Sequence, residues 1–245
     1  YVHGRDDRKT AMLGFASDLL QVPGLLRAEN IPTMGEHHFE VLSAAVLGSP
    51  EFGSKFAEFL STELLIVPEN REYRSDRLRT NIATQLVDKF PDIFVSRLAA
   101  EIERGTSSTS WRLEHLLGSR FGTPDDKTNA ISRLGVSRLR DLCQQYPKRF
   151  APYVARIAPL FTSASGERAW TDVAKMLFEE LGRRKDILSE IGANLHTGSW
   201  AGPTSEHLRG FLPPLKELLG HPVLDVRRWV KREISAIEKQ IVKEI

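Results

Sequence analysis

Apolar residues recur along this chain mostly three or four positions apart, which is the spacing of the buried face of an amphipathic helix. The clearest stripes of this kind lie at residues 52–64, 91–102, 150–160, 170–181 and 208–219. Strict alternation of apolar and polar residues, the pattern typical of a half-buried strand, is nearly absent. The pattern therefore predicts an all-α fold.

Glycine, proline and polar turn formers separate these stripes at short intervals, so the sequence predicts about 11 to 12 helices. The predicted helices cover residues 6–21, 36–47, 51–67, 75–89, 91–104, 108–120, 127–145, 147–161, 166–182, 183–194, 205–219 and 224–243. The longest irregular stretches are residues 21–36 and 196–205, both rich in turn formers. The first of them indicates a linker after an N-terminal helix.

Two segments of the chain repeat one another without gaps. "LVDKFPDIFVSRLAAEI" aligns with "LCQQYPKRFAPYVARIA", so that Pro91 matches Pro147 and Phe94 matches Phe150. Each copy predicts a helix that ends in an aromatic residue, with proline at the first position of the next helix, where its missing N–H costs nothing. The chain would then turn sharply, which makes consecutive helices antiparallel neighbours.

Residues 211–237, "FLPPLKELLGHPVLDVRRWVKREISAI", resemble a HEAT repeat. A Leu-rich first helix with proline near its start is followed by a short turn and by a second helix that opens with Asp225, Val226 and Arg227. The resemblance implies structural roles for Asp225 and Arg227, in the turn and in the ladder between repeats. Bulky Trp229 and Val230 stand where the family usually has a small residue, which suggests a terminal repeat.

The resemblance implies an irregular α-solenoid of antiparallel helix pairs, HEAT-like or armadillo-like. Residues 36–245 would form one continuous repeat domain after an N-terminal helix and linker at 1–35. A helical bundle of ordinary topology is the alternative. Because the chain opens on Tyr1, we also expect a fragment of a larger protein, in which this domain could be the C-terminal sensor or regulatory part of a bacterial signalling or defence protein.

Composition narrows the function only slightly. The chain carries 34 basic and 32 acidic residues, so its long-range field is weak and any binding to an anion must depend on a local patch. Cys143 is the sole cysteine; it cannot form an intramolecular disulfide, which fits a reducing cytoplasm, and we expect a small buried side chain. No apolar run approaches the roughly 18 to 20 residues that span a bilayer.

Two short motifs come close to ligand sites. "GSPEFGSK" at residues 48–55 nearly spells a phosphate-binding loop, but Ser54 intrudes before Lys55 and no strand precedes it, so a helix-to-helix turn is the preferred interpretation. "GEHHFE" places His37 and Glu40 three apart without an evident third metal ligand. The sequence therefore indicates no enzyme, no cofactor, no metal site and no evident small-molecule ligand.

Arginine outnumbers lysine 23 to 11 and is clustered. The clusters lie within residues 70–79, 132–140, 182–185 and 226–232, and acidic residues occur near each of them. We expect most of these arginines to lie on solvated helix faces beside their acids. In the last cluster the helical pattern leaves Arg228, Lys231 and Arg232 outside, so these three, with Trp200 in a Gly-rich loop, are the candidate partner-binding residues.

The function that the sequence favours is a non-catalytic scaffold or recognition module that binds another macromolecule, with protein preferred, because stacked repeats present long curved surfaces. One alternative is a HEAT-like domain that binds nucleic acid, including the DNA glycosylase type. A second alternative is an enzyme whose active-site groups are dispersed over several helices.

Overall fold

The computed structural model describes residues 3–21, 35–65, 76–105, 116–117, 130–164, 167–197 and 202–244. Most of these residues are helical, which confirms the predicted α-rich class. The exception is one antiparallel hairpin of β1 (Phe161–Ala164) and β2 (Glu167–Trp170), in which Phe161 pairs with Trp170. The chain divides into two compact units, each with its own core.

Unit 1 consists of Tyr1–Leu117 and Thr128–Leu134. Its described helices are α1 (His3–Leu20), α2 (Glu36–Leu47), α3 (Gly53–Leu65), α4 (Asp76–Lys89), α5 (Pro91–Arg104) and α6 (Ala130–Arg133). Helices α2 and α4 pack together, as do α3 and α5, and neighbours along the chain from α1 to α5 also touch. The core is built from apolar residues at helical spacing that are fully buried, among them Phe56, Leu60, Ile82, Leu86, Phe94 and Leu98.

Unit 2 consists of Gly118–Lys127 and Gly135–Ile245. Its described helices are α7 (Val136–Gln145), α8 (Ala151–Ile157), α9 (Asp172–Leu181), α10 (Lys185–Leu195), α11 (Thr204–Arg209), α12 (Leu212–Glu217), a 3₁₀ turn at Leu218–Gly220 and α13 (Leu224–Lys243). Helix α7 packs on α9 and α8 packs on α10, while α13 packs on α10, α11 and α12.

Side-chain bonds reinforce the packing of α8 on α10. The Arg156 guanidinium donates from Nε and Nη2 to the two carboxylate oxygens of Glu190, each at 2.8 Å. One helical turn further along α10, the Asn194 amide donates to the carbonyl oxygens of Ala155 and Ala158, at 3.1 and 2.8 Å. These bonds satisfy carbonyl groups at the C-terminal end of α8, where no further helical turn supplies a donor.

Several predicted helices have the predicted bounds, and others are interrupted. Helices α2, α5 and α13 begin and end as predicted. The single helix predicted at 127–145 is wrong over its described part, because α6 and α7 are separated at Gly135, whose φ of 77° suits glycine alone among common residues. The predicted helix at 108–120 is described only at residues 116–117, which are helical.

The hairpin is the element that the sequence interpretation missed. Helices had been expected at 147–161 and 166–182, but α8 ends at Ile157 and α9 begins at Asp172. With only four residues in each strand, the alternating pattern is too short to detect. The fold holds the hairpin through the Trp170 indole, which donates to the carbonyl oxygen of Pro214 at 2.8 Å and stacks near Phe161.

The predicted helix at 205–219 is likewise wrong, because the segment is split into α11, α12 and the 3₁₀ turn. Gly210 and Phe211 separate α11 from α12, and Pro213 and Pro214 occupy the first turn of α12. Proline cannot donate to a preceding turn, so it begins a new helix rather than extending the previous one.

The two repeat copies lie in different units and share their pattern of burial. Phe94 and Phe150 are both fully buried, and so are Leu98 and Val154. Pro91 is the first residue of α5, as predicted, but Pro147 lies in a turn and α8 begins only at Ala151. The predicted boundary near residue 35 and the single continuous repeat domain remain predictions. Within the described ranges, no helix is long and apolar enough to cross a membrane.

Candidate functional site

Helix α13 has one buried side that fixes it in unit 2. Its apolar residues recur at helical spacing, and the buried ones are Val226, Trp229, Val230, Ile237 and Ile241, with Ile234 half-buried. The Trp229 ring lies 5.6 Å from the Phe178 ring of α9. Burial of this stripe is the main source of stability for such a helix. The packing of α13 in unit 2 therefore does not depend on the side chains of the opposite side.

Arg227 holds the start of α13. The Arg227 Nη1 donates to the carbonyl oxygens of His221 and Pro222, at 2.6 and 3.1 Å, so it binds the turn that precedes its own helix. The bonds described here are to that turn, whereas the resemblance had also placed Arg227 toward a neighbouring repeat. Asp225 lies in the first helical turn, where the helix dipole favours a carboxylate.

The opposite side of α13 is basic and exposed. Arg228, Lys231 and Arg232, the predicted candidates, are all exposed. Lys239 and Lys243 are exposed as well and continue the same side of the helix. We call these five residues the basic face; at 1.5 Å per residue it extends over about 22 Å. The sequence cluster at residues 226–232 covers only the first part of this face, although Lys239 and Lys243 follow at helical spacing.

Elsewhere in the described chain, three of the clustered arginines are paired with acids. Arg133 binds Asp88, Arg140 binds Glu180, and Arg184 binds Asp186. These pairs agree with the expected acidic neighbours, although Arg140 and Arg184 are half-buried rather than fully solvated. Of these three acids, only Asp186 lies near its arginine in the sequence. Asp88 and Glu180 lie on helices that are distant along the chain from the arginines they bind.

The basic face differs because its expected acids do not neutralise it. Glu233 turns away and binds the His196 ring, with Oε2 at 2.9 Å from Nε2. Asp225 reaches Arg228 only at 3.8 Å, and the Arg228 side chain remains 69% exposed. Across the described residues, the other four cations of the basic face form no ion pair or hydrogen bond. Five positive charges are thus concentrated on a surface whose fold does not require them.

The exposed side of α13 also has a seam, formed by residues at alternating steps of four and three: Leu224, Arg228, Lys231, Ser235, Glu238 and Val242. Steps of this kind place side chains in line along a helix, as in a coiled coil. Both ends of the seam are apolar and exposed, with Leu224 at 48% and Val242 at 74%. Ser235, a small residue, occupies its middle.

Trp200, the remaining candidate partner-binding residue, lies outside the described residues. Its proposed role stays a prediction.

Both near-motifs lie in unit 1, on α2, on α3 and in the turn between them. Residues 48–52 make a turn between α2 and α3, as predicted, and Lys55 is exposed on α3. His37 and His38 are exposed on α2, and the Glu40 carboxylate accepts a 2.6 Å hydrogen bond from Asn81. No group of three or more His, Cys, Asp or Glu side chains within the described ranges could hold a metal ion.

Cys143 is buried on α7, as predicted from its sequence. Burial, and secondly the nearby Glu180 carboxylate, raise the pKa of its thiol to about 12, against a smaller opposing effect of Arg184. The thiolate is the reactive form of cysteine, and a raised pKa keeps this thiol protonated at neutral pH.

A second cluster lies beside the hairpin. The Arg168 guanidinium stacks 4.1 Å from the Phe211 ring centre and donates to the His207 carbonyl oxygen at 3.0 Å. Burial, followed by the Arg168 charge, lowers the pKa of His207, so this imidazole is neutral at pH 7. The cluster joins the hairpin to α11 and is structural.

No family model, curated protein or solved structure matches this chain. The basic face of α13 is therefore the candidate functional site on its geometry and charge alone.

Proposed function

We propose that this chain is a non-catalytic recognition module that binds another protein through the basic face of α13. The observation that carries the proposal is the concentration of five exposed cations on a helix whose other side is anchored in the core, four of which lack an acidic partner among the described residues. The charge and the hydrogen-bond donors of cations that form no bond within the fold are available to a binding partner. Uncompensated surface charge also speeds association with an oppositely charged partner.

The packing pattern supports the scaffold part of the proposal. In unit 1, α2 packs on α4 and α3 on α5; in unit 2, α7 packs on α9 and α8 on α10. Within each unit, the first helices of successive pairs meet, and so do the second helices. This is the contact pattern expected of stacked antiparallel pairs, and it favours a HEAT-like or armadillo-like arrangement over a bundle of ordinary topology.

Site-specific photo-crosslinking in cells of the source organism tests the proposal. A photoreactive amino acid replaces Ser235, which is exposed in the middle of the basic face. The matched control carries it at Gln240, which is also exposed but lies about 140° further round the helix. We expect a discrete adduct from position 235 that protease removes and nuclease does not, and no such adduct from position 240.

Charge-reversed variants tie the adduct to the basic face. Lys231→Glu with Arg232→Glu should abolish it, whereas Lys55→Glu with Lys185→Glu, which alters the net charge equally at exposed positions, should preserve it. Equal labelling at positions 235 and 240, or an adduct that survives charge reversal, would overturn the proposal. Removal of the adduct by nuclease would favour a nucleic-acid-binding module instead.

A further inference from the structure

We infer that the partner presents an acidic amphipathic helix, which lies along the seam of α13. The inference rests on the proposed function and adds the chemistry and shape of the bound segment. Its basis is the order of side chains along the seam: an apolar residue at each end and, between them, two cations, one small residue and one acid, Glu238.

The spacing of the seam indicates a helical occupant. Steps of four and three keep the six seam residues, from Leu224 to Val242 and including Glu238, on one line of the helix. A second helix with the same spacing can follow this line for its full length, whereas an extended segment advances more than twice as far per residue. Ser235 lacks a long side chain, so it allows close approach at the middle.

The charges indicate an acidic occupant. Lys231 and Arg232 have exposed side chains near the centre of the seam, and Arg228 and Lys239 lie one turn to either side. A partner helix with glutamates at its central seam positions would place carboxylates opposite these cations. A second copy of this chain is disfavoured, because two basic faces would repel each other.

The remaining features favour protein over nucleic acid. Leu224 and Val242 expose apolar surface at the ends of the seam, and a partner helix can bury it with its own apolar residues. The chain's net charge of +2 also gives a polyanion little general attraction.

Fluorescence anisotropy with a defined probe tests the inference. The probe is a labelled helical peptide of about 21 residues, three heptads, with leucine at the outer seam positions and glutamate at the central ones. The matched probe has the same leucines but glutamine in place of each glutamate. We expect the acidic peptide to bind the intact chain at least about tenfold more tightly than the glutamine peptide.

Two variants locate the binding. Lys231→Glu with Arg232→Glu should weaken the acidic peptide at least about tenfold, while Lys55→Glu with Lys185→Glu should change its affinity less than about twofold. Circular dichroism confirms that both variants are folded. Equal binding by the two variants, no preference for glutamate over glutamine, or tighter binding of a 5′-labelled duplex DNA of similar length would overturn the inference.

The two proposals fail separately. An adduct at position 235 that meets its controls, together with no preference for the acidic peptide, would reject the acidic helix and keep the protein-binding function. If the protein with its basic face intact gave no adduct at position 235, the proposed function itself would be rejected.

Discussion

At the scale of single residues, α13 separates stability from recognition between neighbours in the sequence. Trp229 is 2% exposed, whereas the side chain of Arg228, one position earlier, is largely exposed. Helical periodicity was sufficient to predict this difference, because residues one apart point about 100° away from each other. The partner of Glu233 was not predictable, since His196 lies 37 positions away.

Truncation of Trp229 should destabilise unit 2. Trp229→Ala removes a buried ring that packs against Phe178, so we expect the free energy of unfolding to fall by about 3 to 5 kcal/mol. Urea denaturation measures the change. Lys231→Ala, on the exposed side of the same helix, is the control and should stay within about 0.5 kcal/mol of the unaltered protein. A smaller loss for Trp229→Ala than for Lys231→Ala would contradict the assignment of the buried side.

Cys143 should make stability depend on alkaline pH. Its thiol pKa is raised from 9.0 to about 12 in the folded chain, so above about pH 9 the unfolded thiol loses its proton while the folded one keeps it. The free energy of unfolding then falls as pH rises toward 12, by at most about 1.4 kcal/mol per pH unit. Urea titrations of the protein and of Cys143→Ala at pH 8, 9 and 10 should diverge in slope. If the free energy of unfolding varied with pH in the same way in both proteins, the pKa of the Cys143 thiol would not be raised by folding.

At the scale of elements, helix bounds were predicted correctly where apolar periodicity, a proline at the start and a glycine at the end agreed. Pro91 opens α5 and Gly105 ends it in the left-handed conformation, so both bounds were apparent in the sequence. The hairpin was missed because its strands are short and its stability comes from distant contacts, such as that of Trp170 with Pro214. Local periodicity carries no information about a partner 44 residues away.

The close packing of α9 against α13 should require glycine at position 182. A Cβ atom at this position would lie 2.3 Å from the Phe178 carbonyl oxygen and 2.5 Å from Val226 Cγ2, so Gly182→Ala forces the helices to shift. We expect it to lower the free energy of unfolding by about 1 to 3 kcal/mol.

Gly192→Ala is the matched control for that substitution. The nearest atom to its added methyl group is Glu233 Oε1 at 3.4 Å, an ordinary contact, and alanine favours a helix interior. Thermal melts of the two variants should therefore differ clearly. Identical melting temperatures would mean that the close approach at Gly182 relaxes freely.

At the scale of the whole molecule, the two copies of the internal repeat lie in different units. Its copies contribute Phe94 to unit 1 and Phe150 to unit 2, both fully buried. The division itself was not predicted, because the helical pattern continues along the chain without marking which helices pack together. The exposed candidates on α13 were predictable from periodicity, but only the positions of distant side chains show that Lys231 and Arg232 have no acidic partner among the described residues.

Each unit should respond to damage in its own core. Leu60→Ala affects a fully buried side chain of unit 1, and Val230→Ala does so in unit 2. Hydrogen exchange followed by mass spectrometry should show faster exchange mainly in the unit that carries the substitution, because local opening follows local packing. Faster exchange throughout the chain in both variants would instead indicate a single cooperative unit.

The bonding of Arg227 to the turn before α13 has a consequence for engineering. Since this arginine, together with the buried stripe, sets the position of the helix, the outward residues can be exchanged as a group while the backbone stays in place. The helix can therefore serve as a fixed frame for grafted sequences. A library that varies only residues 228, 231, 232, 235 and 239 would change which ligands are selected and leave the rest of the molecule as it is.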